Sequence, residues 1–181
     1  IEIVLKEKRE PIPLYTKEVE KSFPKNETVG FDCLCGDFIA PWGTGARPDF
    51  SVKYESVRPP IRAGTKYPDF SYFTNNLVLF AEESGGFITK PKDTFSRLVS
   101  EYEAPEDGYV GTIDYEMKRT HDKIFVNRKL DGDKYLFFRS RMGRMGAATQ
   151  GSAHYGKIYR LGFGESLKET NSATLKMSYY F

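Results

Sequence analysis

Cysteine is almost missing from this chain of 181 residues: Cys33 and Cys35 are its only two. Two cysteines so close together cannot build a disulfide framework or a zinc site of the usual paired type. They sit in Phe31-Asp-Cys-Leu-Cys-Gly36, where an extended strand would set them about 6.6 Å apart on one face, at the outer limit for a disulfide. Two small buried apolar groups are the expectation. An excess of one charge is missing too, with 27 basic against 25 acidic residues, so no global field draws in nucleic acid, and a nucleic-acid partner is excluded. No apolar run approaches the roughly 20 residues of a membrane span, and the longest, Leu77-Val-Leu-Phe-Ala81, has strand length. Membrane contact is then expected only through a lipid anchor. The chain starts at Ile1 rather than Met, which points to an upstream segment removed, either a signal or lipid-attachment segment or a trimmed terminus. Catalytic signatures are missing as well. No Ser, Cys or Lys sits in a nucleophile elbow, and Arg141-Met-Gly-Arg-Met-Gly146 lacks the Gly-Lys-Ser/Thr ending of a P-loop. The carboxylates of Glu82-Glu83, Asp131 and Asp133 read as turn residues, so no enzyme activity is expected.

Aromatics are what the chain has in quantity: 12 Tyr and 14 Phe compensate for an apolar fraction of only 39% and suit pleated surfaces. Period-two alternation is clearest at the C-terminus, where Ala173, Leu175, Met177, Tyr179 and Phe181 point one way and Thr174, Lys176 and Ser178 the other. Tyr109, Ile113, Tyr115 and Met117 repeat the pattern, Ile124-Phe-Val126 follows, and Asp131-Gly132 is a tight-turn signal from which Lys134–Arg141 is expected to return antiparallel. Residues 109–181 thus read as a meander of strands. Shorter strands are expected at Glu2–Lys6, Val29–Cys35, Phe50–Glu55, Leu77–Glu82 and Phe87–Thr89, between Pro- and Gly-containing loops. Phe95, Leu98, Val99 and Tyr102 follow i, i+3, i+4, i+7 spacing after Asp93, which predicts one short helix. The expectation is a single all-β domain over residues 1–181, an antiparallel β-sandwich or meander with one short helix.

Met142–His154 is far longer than the roughly 2–5 residues a hairpin needs, which marks it as a working loop. It carries His154, followed by Tyr155, and His121 lies in the Arg119-Thr-His-Asp122 turn. Neutral imidazoles are good iron ligands, and two axial donors from opposing loops are what a haem needs. A solvated turn histidine is the plainer alternative for each. Met142 and Met145 offer thioether sulfur or simple packing; Arg139, Arg141 and Arg144 suit carboxylates such as haem propionates, or form a solvated face. Trp42, the only tryptophan, lies in a Gly- and Pro-rich loop where it either stacks on a sugar or a partner protein or caps the core. Asn26-Glu-Thr28 matches an N-glycosylation acceptor.

Lys134-Tyr-Leu-Phe-Phe-Arg139, the Gly-rich loop, Tyr155-Gly-Lys-Ile-Tyr159 and the terminal strand Ala173–Phe181 resemble the end of the HmuY-like surface lipoproteins of host-associated anaerobic Gram-negative bacteria. Phe95 through Tyr109 is loosely similar to a middle segment of that family. The resemblance implies an all-β fold, export to the cell surface on a lipid anchor, and haem capture through paired His or Met ligands. Two functional expectations follow. The first is an extracytoplasmic, secreted or surface-anchored protein binding a small planar ligand, haem above all. His121 and His154 would be the iron ligands, Met142 and Met145 alternates, Arg141 and Arg144 propionate partners. The second is a cofactor-free module holding a surface glycan or protein through Trp42 and Tyr155.

Overall fold

The computed structural model describes residues 15–58, 72–91, 104–120, 123–126, 134–140, 153–166 and 171–181. Strands among them are β1 (Thr16–Pro24), β2 (Thr28–Asp32), β3 (Asp37–Phe38), β4 (Phe50–Val57), β5 (Tyr72–Ala81), β6 (Gly86–Pro91), β7 (Thr112–Thr120), β8 (Lys123–Val126), β9 (Lys134–Ser140), β10 (His154–Glu165) and β11 (Ser172–Tyr180). They form two antiparallel sheets, sheet A in the order β1-β11-β10-β9-β6 and sheet B in the order β3-β2-β4-β5-β7-β8. The fold is an antiparallel β-sandwich. The helix expected at Phe95–Tyr102 and the strand expected at Glu2–Lys6 lie outside the described residues.

Aromatic side chains stitch the sheets together. Phe50 on β4 stacks on Phe31 of its own sheet at 5.5 Å and meets Phe138 of sheet A edge-on at 5.4 Å; Phe138 in turn stacks on Phe181 at 5.6 Å. Edge and offset geometries of this kind add to plain area burial because the negative ring face meets a positive ring edge. The alternation read in the terminal strand is the core face of β11: Ala173, Leu175, Met177, Tyr179 and Phe181 are all buried.

Two sequence expectations are overturned. Residues 109–181 do not form one meander, because the chain crosses from sheet B to sheet A between β8 and β9. β8 pairs with β7, whereas β9 pairs with β6 and β10, so the expected β8–β9 hairpin around Asp131-Gly132 is not made. The burial of β9 explains this: Leu136, Phe137 and Phe138 are all buried, a demand that a central strand of sheet A meets and the margin beside β8 does not. The second concerns Val29–Cys35. The strand stops at Asp32, whose carboxylate accepts from the amides of Leu34 (2.9 Å) and Cys35 (3.1 Å) and bends the chain into a turn. Cys33 is buried and Cys35 exposed, so only one of the pair is a small core group.

Two features at the margins of the sandwich bear on stability. On β1 the side chains of Lys17, Val19, Lys21 and Phe23 face inward. The Lys17 ammonium donates to the Leu34 carbonyl, and that of Lys21 pairs with Asp37 at 3.2 Å, so the lysines lace the β1 margin to the β2–β3 turn and to β3. At the end of the sandwich away from His154, Glu165 pairs with Lys25 at 2.9 Å and with Arg58. Burial alone would raise the Glu165 carboxyl, but hydrogen bonds from Lys25 and Ser56 and the charges of Arg58 and Lys25 hold it below its ordinary 4.5. A carboxyl depressed in the folded chain contributes stability that is present above the unfolded value and lost as pH falls through the folded one. Glu165→Gln is expected to cost about 1 kcal/mol at pH 7, screened as a partly exposed pair is, and less at pH 3. Urea midpoints at the two pH values check this; an equal loss at both would show that the carboxylate charge is not involved.

Candidate functional site

Strand alternation sorts the neighbours of the long loop onto two different faces. His154 pairs with Ser140 at the mouth of the sandwich, and its exposed imidazole lies 5.9 Å from the Phe181 ring, extending the Phe138–Phe181 stack outward. Tyr155, one residue on, turns to the outer face of sheet A and is 41% exposed. The Tyr155 phenol therefore turns away from the His154 ring.

His121, Met142, Met145, Arg141 and Arg144 lie outside the described residues. The strand ends that flank His121, Thr120 and Lys123, pair with each other at the foot of sheet B. His154 belongs to the other end, since Ser140 beside it donates to Asp49 at 2.7 Å, just before β4 pairs with Ala81. β7 runs nine residues between those ends, about 25 Å of strand. Among the described residues no group of three or more His, Cys, Asp or Glu is arranged to hold a metal ion.

Trp42 is 46% exposed on the loop between β3 and β4, and the loop is held by carboxylates. Asp32, which faces away from the core because Phe31 faces into it, accepts from the amides of Ala46 (3.0 Å) and Arg47 (3.1 Å) in addition to the turn. Asp37 accepts from the Thr44 amide (3.2 Å) and hydroxyl (3.0 Å). Trp42 is thus carried on a loop tied to β2 and β3 of sheet B, whereas Tyr155 looks out from β10 of sheet A. Asn26 is exposed in the β1–β2 turn at φ 63.

Around Tyr155 the structure assembles a face that the sequence reading missed. Gly86, Arg139 and Tyr155 form one outward row across β6, β9 and β10. Tyr109 lies over Gly86, where a Cβ would stand 2.6 Å from that of Tyr109, so only glycine admits the ring there. The Arg139 guanidinium covers the Tyr109 ring at 4.8 Å, and Tyr109 and Tyr155 are 6.4 Å apart. Burial, helped by the Tyr155 phenol and opposed by Arg139, pushes the Tyr109 hydroxyl up to about 12, so it stays protonated at neutral pH. In the next rows the Lys157 ammonium lies over Tyr135 (4.8 Å), Tyr180 (5.3 Å) and Phe137 (5.8 Å), and Tyr159 packs on Tyr180 at 5.2 Å. Period two already sets Tyr155, Lys157 and Tyr159 opposite Gly156 and Ile158, and that alternation was the available signal.

No protein-family model, curated protein or solved structure matches the chain. The fold and this face define an antiparallel β-sandwich with an aromatic and cationic outer layer.

Proposed function

We propose that this chain is a non-catalytic, extracytoplasmic binding module whose ligand is a glycan lying on the outer face of sheet A. The observation that carries the reading is the half-exposed aromatic surface of Tyr155 on β10, with Arg139 beside it on β9 and Tyr109, from the β6–β7 connection, laid over Gly86. Sugar rings stack their C–H faces on such rings, and a strand-borne platform loses little conformational freedom on binding. The resemblance of the terminal strands to surface lipoproteins supports the compartment. Titration of polysaccharides in affinity gels tests the proposal: Tyr155→Ala is expected to weaken retardation about tenfold, or ~1.4 kcal/mol, with the unfolding transition unchanged. Retardation that ignores Tyr155 would move the ligand off this face.

A second reading, haem capture, is favoured by the exposed His154 imidazole beside Phe181. His154 would hold the iron on one side and Met142 or Met145, on the segment leading into it, on the other. Haem added to the same protein should then give a sharp, saturable visible band that His154→Ala removes and Tyr155→Ala leaves in place.

A further inference from the structure

The whole chain is nearly neutral, yet its charges are not evenly spread. β6, β9, β10 and β11 carry Lys90, Lys134, Arg139, Lys157, Arg160 and Lys176 against a single carboxylate, Glu165. Glu165 does not face this surface, because it pairs in register with inward Ala173 and is bound by Lys25 and Arg58. Outward carboxylates of sheet A are confined to β1, where Glu20 meets Lys176 at 3.0 Å and Glu18 accepts from Ser178. Next to the Tyr109–Tyr155 platform, then, the outward charges on β6, β9 and β10 are all positive. Arg139 donates one long hydrogen bond, from Nη2 to the Ser84 carbonyl at 3.3 Å, and its Nε is buried, so an outside anion would meet the terminal Nη edge. That edge of a guanidinium matches a carboxylate or sulfate in two-point contact.

We infer that the ligand of this face is an acidic polysaccharide, its sugar rings on Tyr155 and its carboxylate or sulfate groups on Arg139, Lys157 and Arg160. The inference rests on the glycan reading and adds the charge of the glycan. Single-stranded nucleic acid, the other polyanion that stacks on aromatics, needs a series of open ring faces. Here Lys157 covers Tyr135, Phe137 and Tyr180, and Arg139 covers Tyr109, which leaves Tyr155 as the one open ring of the row.

Affinity electrophoresis through polygalacturonate and chondroitin sulfate, each beside its methyl-esterified or desulfated counterpart, tests the inference. At least one acidic polymer is expected to retard the protein at about tenfold lower concentration than its neutral form, an advantage that fades as salt rises. Arg160→Gln should shrink that advantage while keeping neutral binding and the unfolding midpoint of the parent; Arg139→Gln and Tyr155→Ala should weaken both forms. Equal retardation by acidic and neutral forms overturns the charge and leaves the glycan reading standing. No retardation by any of the four polymers, or tighter binding of oligo(dT) than of all of them, overturns both.

Discussion

Asp32→Ala is expected to cost about 3 kcal/mol of folding stability, a large share of what a domain of this size possesses. The Asp32 carboxylate is 3% exposed and accepts from four main-chain amides, those of Leu34, Cys35, Ala46 and Arg47, at 2.9–3.1 Å. Hydrogen bonds to an ionised acceptor contribute roughly 1.5–3 kcal/mol each, but these four are not additive, and the amides regain water once the loop opens. The loss therefore falls well short of their sum. Asp32→Asn keeps one carbonyl oxygen and should recover about half. Urea unfolding measures both, with the alanine midpoint lowered by about 1–2 M. A cost below about 0.5 kcal/mol would mean that the turn and the Trp42 loop hold their shape without this carboxylate.

Gly156→Ala is the second large effect. A Cβ at Gly156 would lie 2.2 Å from Cζ of Phe138, and that ring is 1% exposed, wedged between Phe50 at 5.4 Å and Phe181 at 5.6 Å. Phe138 has no room to swing away, so one added methyl forces repacking across both sheets, at about 3 kcal/mol. Phe138→Leu alone opens a cavity and is itself destabilising by about 1–2 kcal/mol. Together the two changes fill each other's fault. The double variant is expected to be more stable than the sum of the single losses by at least about 1 kcal/mol, read from a double-mutant cycle of chemical unfolding. Strict additivity would place the strain of Gly156→Ala elsewhere than against this ring.

What the sequence made legible follows the range of the interactions involved. β11 was readable because one face of it is core along its whole length, so alternation alone reports it. The partner of β9 was not, because tight-turn rules treat Asp131-Gly132 as closing a hairpin, while the burial of Phe137 on the face opposite Leu136 and Phe138 calls for a central place in sheet A. The crossing between sheets also puts the strands flanking His121 at the other end of the sandwich from His154. The roles of Asp32 and Asp49 were not legible, since they accept from groups 14 and 91 residues away along the chain. The aromatic face was half legible: alternation gives Tyr155, Lys157 and Tyr159, but the approach of Tyr109 to Gly86 is a tertiary event that no local pattern announces.

The inward lysines of β1 bear on how copies of this protein tolerate crowding. Thr16–Pro24 pairs only with β11 among the described residues, which makes it the long bare margin of sheet A. A neighbouring molecule adding a strand there would have to strip two ammonium groups of their partners at Leu34 and Asp37 and would find no amide hydrogen at Pro24. Such an edge resists zippering into fibres.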